Sequence, residues 1–523
     1  MPNIKLLDCT LRDGGYINDW KFGYHTIKNV IRQLMDSQVD YVEIGFLRDC
    51  EYDRDKTLYN NCAEMIPVLP DKRGNTMFTA MALHNQYNID KLEPYDGNTI
   101  EAIRVTFHDY DVDEGLEFIC KAQEKGYKVF CNPINIMGYS DEQILALLEK
   151  VNRIQPYAFS IVDTFGSMMK ADLLRIYSLI EHNLDQSIVI GLHLHENLAL
   201  SYSLAQEFIA MKASSRKSVI DASMLGMGRI PGNLCMELIM DYMNKTQDGI
   251  YDVNPVLDGI DDYIIQLKQI EPWGYSTAYA LSAKYNLHRN YAEFLLNKGR
   301  LRAKQINQIL ASIEESKKTA YDEAYVENLY QQFQNHEVND TELIKQLQQK
   351  MQNRAVLILA PGSSILKEKE KIEQFIGQES PIVISANFAS NEYKQDYVFC
   401  SNAMRYSALE GKMQEYQILI TSNLLDICEE KQVLNYTDLC FDEKGSSDNC
   451  VIMLLKLLIK MEIPKVYVAG FDGYKAEGNN YVTSYMASQH TKGVEENIRN
   501  SRYVADVRKQ IEVEFLTESL YNK

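Results

Sequence analysis

His193 and His195 stand two residues apart in Gly191-Leu192-His193-Leu194-His195-Glu196-Asn197. On a β-strand, an i, i+2 spacing turns both imidazoles to one face, where one cation is within reach of both. By itself the pair is equally compatible with ordinary surface or core histidines. Two further segments add to it. Near the N-terminus, Asp8-Cys9-Thr10-Leu11-Arg12-Asp13-Gly14-Gly15 sets a guanidinium beside a carboxylate, and Gly226-Met227-Gly228-Arg229-Ile230-Pro231-Gly232-Asn233 follows the histidines. Asp13, His193, His195 and Asn233 would offer one carboxylate, two imidazoles and an amide oxygen. That mixed set, with room for water or substrate, suits Mn²⁺ or Mg²⁺ and is compatible with Zn²⁺, Co²⁺ or Fe²⁺.

Such distant residues meet only if the elements between them bring them together. From residue 4 to about 233, β-branched and aromatic runs alternate with helical patterns. The spacing predicts strands at 4–10, 41–46, 77–83, 102–108, 128–135, 158–166, 188–195 and 219–228. Helical patterns include 24–37 and 140–154, the second opening on Ser140 as N-cap. Eight such units over roughly 240 residues predict a closed (β/α)₈ TIM barrel, since an open doubly wound sheet rarely needs eight. Closure would make the first, seventh and eighth strands neighbours, and barrel chemistry sits at the C-terminal strand ends.

Residues 234–312 continue as helices, and 313–353 are rich in Gln, Glu and Lys with apolar residues at helical spacing. A second run of strand-like segments begins at Ala355 and predicts a small open sheet with Rossmann-like winding. The expected fold class is therefore α/β: a barrel with a helical extension (1–312), a helical linker (313–353) and a C-terminal Rossmann-like α/β domain (354–523).

The chain has 523 residues, with 54 Lys plus Arg against 73 Asp plus Glu, for a net charge of −19. Such an acidic surface repels phosphate backbones and anionic lipid, which argues against nucleic acid and membrane partners. No apolar run reaches the ~18–20 residues that span a bilayer, and the start lacks a signal-peptide core. The 10 scattered cysteines contain no C-x-x-C pair, which reads as reduced thiols and a cytoplasmic location. A homodimer is the default assembly.

D-x-T-L-R-D-G near the N-terminus, H-x-H on the seventh strand and G-x-G-x-x-x-G-N after the eighth resemble the DRE-TIM metallolyase superfamily, over roughly residues 1–300. Within it, Ile103 to His108, Val162 to Gly166 and Gly274 to Tyr279 resemble segments of the 4-hydroxy-2-oxovalerate aldolases. The resemblance implies a divalent ion on Asp13, His193 and His195, with Asn233 in or beside its shell. It gives Arg12 the enolate charge left by C–C cleavage of a 2-oxo acid. Glu43 and Asp163 match family positions and are expected either to bind substrate or to orient Arg12 or cap backbone amides, and Asn132 either to line the pocket or to shape a turn. One departure stands out. Where the aldolases carry a proposed histidine base, three residues beyond the metal-binding Asp, this chain has Tyr16. His108 and Tyr279 are further proton-transfer candidates, with His84 weaker.

The second domain resembles bacterial sialyltransferases and their relatives in surface-polysaccharide pathways. That resemblance implies CMP or a CMP-sugar near Gly362, Ser364, Asn387, Asn402 and Ser446, with His490 as the available imidazole. The Gly362 turn also suggests amides that hold a phosphate. The expected function is a metal-dependent aldolase joining or splitting pyruvate and an aldehyde, with a sugar-derived aldehyde as the candidate. A Claisen-type acyl transferase using acyl-CoA, and a non-catalytic sugar- or nucleotide-binding scaffold, are the competing readings.

Overall fold

A computed structural model describes residues 3–409, 417–428, 432–441, 449–475, 480–482 and 493–522. The chain folds as two compact units: residues 1–292 with 314–321, and residues 293–313 with 322–523. The boundary thus departs from the expected one near 350. Segment 293–313 belongs with the second unit because Arg300 is buried there, donating to Tyr436 Oη (3.4 Å) and the Ser401 carbonyl (3.3 Å). The expected linker is also built in: Leu347 and Met351 enter the second core, and Asn423 donates to Gln334 (2.8 Å).

In the first unit, nine strands are numbered in chain order: β1 Ile4–Asp8, β2 Tyr41–Leu47, β3 Leu58–Tyr59, β4 Met77–Leu83, β5 Ala102–Phe107, β6 Lys128–Pro133, β7 Ala158–Asp163, β8 Val189–Leu194 and β9 Ser218–Ala222. All pair in parallel in the order β1-β9-β8-β7-β6-β5-β4-β2, and β1 pairing with β2 closes the eight-stranded barrel. The two-residue β3, unexpected from sequence, joins β2 at Phe46 and Leu47. A register shift between Glu43 and Phe46 marks a bulge in β2. Gly45 sits in it at φ +146°, where a Cβ would fall 2.0 Å from the Thr57 carbonyl oxygen.

Alternation along the strands sorts the barrel interior into layers. Leu7, Tyr41, Ala102, Phe130, Ala158, Val189 and Val219 form an apolar plug. Two residues further along, Leu7 is followed by Cys9, still part of the plug, while the other six inward positions become Glu43, Arg104, Asn132, Ser160, Gly191 and Asp221. The outer helices bury their apolar stripes against the sheet. Asp141–Ile154 is one, opened by a Ser140–Gln143 capping box.

The second unit holds β10 Val356–Leu359, β11 Ile382–Ala386, β12 Tyr397–Cys400, β13 Gln417–Thr421, β14 Val433–Leu434, β15 Lys465–Ala469 and β16 Glu512–Phe515. Their order, β14-β13-β12-β11-β10-β15-β16, is all parallel and reverses direction between β10 and β15. Among the described residues, no helix is long and apolar enough to cross a membrane.

Candidate functional site

Asp13 lies in the short helix Thr10–Asp13 that follows β1, His193 in β8, and His195 just past its end. Their ligand atoms all fall within 4.8 Å of one another. The i, i+2 spacing does what strand geometry requires, with the two imidazoles edge to face at 4.9 Å. Each Nδ1 is already engaged. His193 Nδ1 lies 2.9 Å from Asp221 Oδ2, and His195 Nδ1 lies 3.0 Å from the Asp163 carbonyl. That leaves both Nε2 atoms as the ligand positions, with His195 Nε2 3.7 Å from Asp13 Oδ2. Asn233 donates to the same Asp13 oxygen at 2.7 Å, while its Oδ1 is buried with no hydrogen-bond partner. Carboxylate, oriented imidazoles and an orphaned amide oxygen together fit a divalent cation.

Behind this group lies a buried chain of alternating charge. Arg12 contacts Asp13 Oδ1 and donates from Nε to Glu43 Oε2 at 2.7 Å. Arg104 donates to the same Glu43 oxygen at 3.0 Å and reaches Asp221 with its other nitrogen. Burial works against the Arg12 charge, but Glu43 and Asp13 outweigh it and raise its pKa further. Burial likewise opposes ionisation of Asp13, yet the Arg12 guanidinium and then His195 hold its carboxyl well below the usual range. Burial lowers His193 against the pull of Asp221, which keeps the imidazole neutral as a ligand must be.

The other expected residues fall around this group or at the rim. Glu43 is fully buried beneath Arg12, so it positions that guanidinium instead of lining a pocket. Asp163 spends its carboxylate on the Ser167 and Met168 amides (2.9 and 3.2 Å), and burial pushes it up to about 6. Asn132 accepts from Ser160 Oγ at 3.1 Å. Tyr16 stands at the rim, 41% exposed, its ring edge-on to Trp20 at 4.8 Å. His108 stacks on Tyr110 and pairs with Asp111 (3.5 Å), which also holds His84 at 2.8 Å. Tyr279 is buried in the helix Thr277–Lys284.

Sequence reasoning passed over Arg104, Asp221, His288, Arg48 and Arg229. The first two carried a signal: a charge at an inward position of an apolar strand needs a buried partner. His288 had none, since only the fold sets it beside Arg229 Nη2 (2.9 Å) and the Phe165 ring (5.7 Å).

In the second unit, a cavity of about 460 Å³ opens where the strand order reverses, lined by Gly362, Asn387, Asn402, Arg405, Asn449 and Arg499 among others. That is where open α/β sheets take ligands. Ser364 is not part of the lining. Its amide and hydroxyl both bond to Asp472 (2.9 and 2.5 Å), so a carboxylate already occupies the turn expected to hold a phosphate. Asn387 and Asn402 also serve the backbone, accepting from Ser401 N (2.9 Å) and from Met404 N (3.0 Å). Ser446 and His490 lie outside the described residues.

Residues 103–264 match the family model described as HMGL-like. Over 289 residues the chain is 22% identical to an oxaloacetate decarboxylase of Mycobacterium tuberculosis, covering 51% of this chain and 80% of the relative. Over 276 residues it is 23% identical to a 4-hydroxy-2-oxovalerate aldolase of a Marinomonas species, covering 50% and 78%. A crystal structure of the Bacillus subtilis HMG-CoA lyase aligns over 52% of this chain and 94% of its own, at 15% identity and a TM-score of 0.41.

Proposed function

From a barrel that is an HMGL-like domain of the DRE-TIM superfamily, we propose that the protein is a divalent-metal-dependent aldolase. It makes or breaks a C–C bond between a 2-oxo acid, pyruvate first, and an aldehyde that is sugar-derived. The observation that carries this reading is the convergence of Asp13, His193 and His195 within 4.8 Å, with Arg12 against Asp13. Mn²⁺ or Mg²⁺ held there would supply a Lewis acid for the keto oxygen.

The chain's own residues supply the rest. Asp221 and the Asp163 carbonyl fix the imidazole tautomers, so both rings keep one orientation through the reaction. Arg12, held permanently charged by Glu43 and Asp13, faces the negative charge that an enolate develops. Tyr16 carries a proton to or from the hydroxyl of the aldol, aided by the Arg229 guanidinium 5.8 Å from its ring. An enolate of pyruvate is also what decarboxylation of a 3-carboxy-2-oxo acid would produce, and the likeness to an oxaloacetate decarboxylase supports that second reading.

The second unit, in this proposal, binds CMP or a CMP-sugar in its switch-point cavity and couples the aldolase to surface-polysaccharide metabolism. The cavity's cationic and amide lining supports that part.

The test is exchange of the pyruvate methyl protons in D₂O with the full chain and Mn²⁺. Deuterium incorporation that depends on both metal and Arg12 is expected. Absence of incorporation, with and without aldehydes, would reject the enolate chemistry. Carbon dioxide release from oxaloacetate outpacing every aldol reaction would favour the decarboxylase.

A further inference from the structure

The geometry points to two rim guanidinia, Arg48 and Arg229, acting as an anion-reading clamp on either side of an aromatic cluster. They select a second substrate whose aldehyde carries a carboxylate or phosphate group. This deepens the aldolase reading and rests on it.

Arg48 directly follows β2 and Arg229 follows β9, so both belong to the rim where the barrel strands end. Tyr16, Trp20 and Phe46 stand mutually edge to face, with centroids 4.8, 6.4 and 5.7 Å apart. The Arg48 guanidinium lies 5.2 Å from both the Trp20 and the Phe46 rings, and that of Arg229 lies 5.8 Å from the Tyr16 ring. The loop carrying Arg229 also abuts the candidate metal centre. A Cβ on Gly228, its neighbour, would fall 2.7 Å from Asp13 Oδ2 and 2.4 Å from Asn233 Nδ2.

The charges are matched differently around this cluster. Arg12 has Glu43 and Asp13. For Arg48, no carboxylate of the described residues lies within ion-pair distance, and its Nε is buried without a hydrogen-bond partner. A guanidinium held by its aromatic faces keeps its in-plane N–H groups for a planar or tetrahedral oxyanion, and a buried donor left unmade is costly. Arg229 is steadied by His288: burial, then Arg229 and Arg289, push that imidazole down to about 3, so it takes the Arg229 N–H. In a chain of net charge −19, an Arg48 guanidinium with no carboxylate partner among the described residues, in an aromatic cluster that includes a 41% exposed Tyr16, suits an arriving anion.

The reaction tested is the aldol addition: C3 of pyruvate bonds to the aldehyde carbon, a methyl proton leaves, and one proton is returned to the new alkoxide. No redox partner is needed. The full chain with Mn²⁺ and pyruvate is given two matched pairs, succinic semialdehyde against butanal and D-glyceraldehyde 3-phosphate against D-glyceraldehyde. The first pair reads a carboxylate, the second a phosphate. At least one anionic member is expected to exceed its neutral partner about tenfold or more in kcat/KM, mostly through KM. That ratio should shrink as salt is raised. Arg48→Ala and Arg229→Ala should each collapse the ratio, with Arg48→Lys and Arg229→Lys restoring part of it. A merely structural role would lower both members of a pair together and leave the ratio unchanged, which overturns the clamp. Equal kcat/KM within both pairs for a wild type that does exchange deuterium into pyruvate overturns the clamp alone. A wild type without exchange overturns the aldolase reading and the clamp with it. Should either Ala variant fail to fold, the wild-type ratios and their salt dependence still decide.

Discussion

At the scale of single residues, the candidate centre shows how a few buried partners set the chemistry of the ligand atoms. Asp221 never faces the cation position, yet it fixes the His193 tautomer and is itself held ionised by Arg104 against the cost of burial. Asp221→Asn is expected to weaken Mn²⁺ binding by about 10–100-fold, read by electron paramagnetic resonance of the free ion, a measurement independent of turnover. Arg12→Lys keeps the charge but loses the fork that spans Glu43 and Asp13. It should slow pyruvate deuterium exchange by roughly 10²–10³-fold, and a smaller loss would argue that Arg12 only props up Glu43. Asp8 gives a pH signature. Burial pushes its carboxyl up to about 7 despite hydrogen bonds from the Thr10 amide (2.9 Å) and hydroxyl (2.8 Å). Because the folded value lies above the ordinary 3.8, the stability tied to its protonated form is full below about pH 4 and is lost as pH rises through 7. Urea unfolding of wild type and Asp8→Asn across that window should diverge by up to about 4 kcal/mol. A difference that does not change with pH would contradict the assignment.

At the scale of elements, the strand period decides which side chains share a layer, and the irregularities decide how the rim is aimed. Residues 4–8, 41–47 and 189–194 were legible because their β-branched runs are bounded by polar turns. The ends were less so. The seventh run reads to 195, but the strand stops at Leu194, and His195 instead makes an isolated bridge with Asn233. The bulge in β2 had no signal beyond Gly45. A side chain there meets the Thr57 carbonyl and a backbone angle that L-residues avoid. Gly45→Ala is expected to cost about 2–4 kcal/mol in chemical denaturation and to reduce deuterium exchange by shifting Glu43 beneath Arg12. Ser140→Ala, by contrast, removes one exposed helix cap and should cost only about 1 kcal/mol with exchange unchanged.

At the scale of the whole molecule, two units with separate cores should answer to separate ligands. Chelation is expected to lower one thermal transition and Mn²⁺ to restore it, while CMP raises the other, by about 2.7 kcal/mol at a hundredfold excess over its dissociation constant. A CMP effect that survives Arg405→Ala and Asn387→Ala would point away from the switch-point cavity. Much of this architecture follows from local patterning: eight strand–helix units, an acidic solvated surface, and polar groups recurring at strand ends all depend on neighbours in the chain. That Asp13, His193, His195 and Asn233 could converge was readable because they stand at the ends of strand-like runs and barrel closure prescribes which strands touch. Arg104 against Asp221, His288 beside Arg229, and Asp472 filling the Ser364 turn were not readable. Each of these contacts joins residues 59 to 117 positions apart, and their pairing depends on register, loop path and the exclusion of water. Those quantities come into being only when the chain closes on itself, because a buried charge finds its partner by position in space and carries no mark of it in the local sequence.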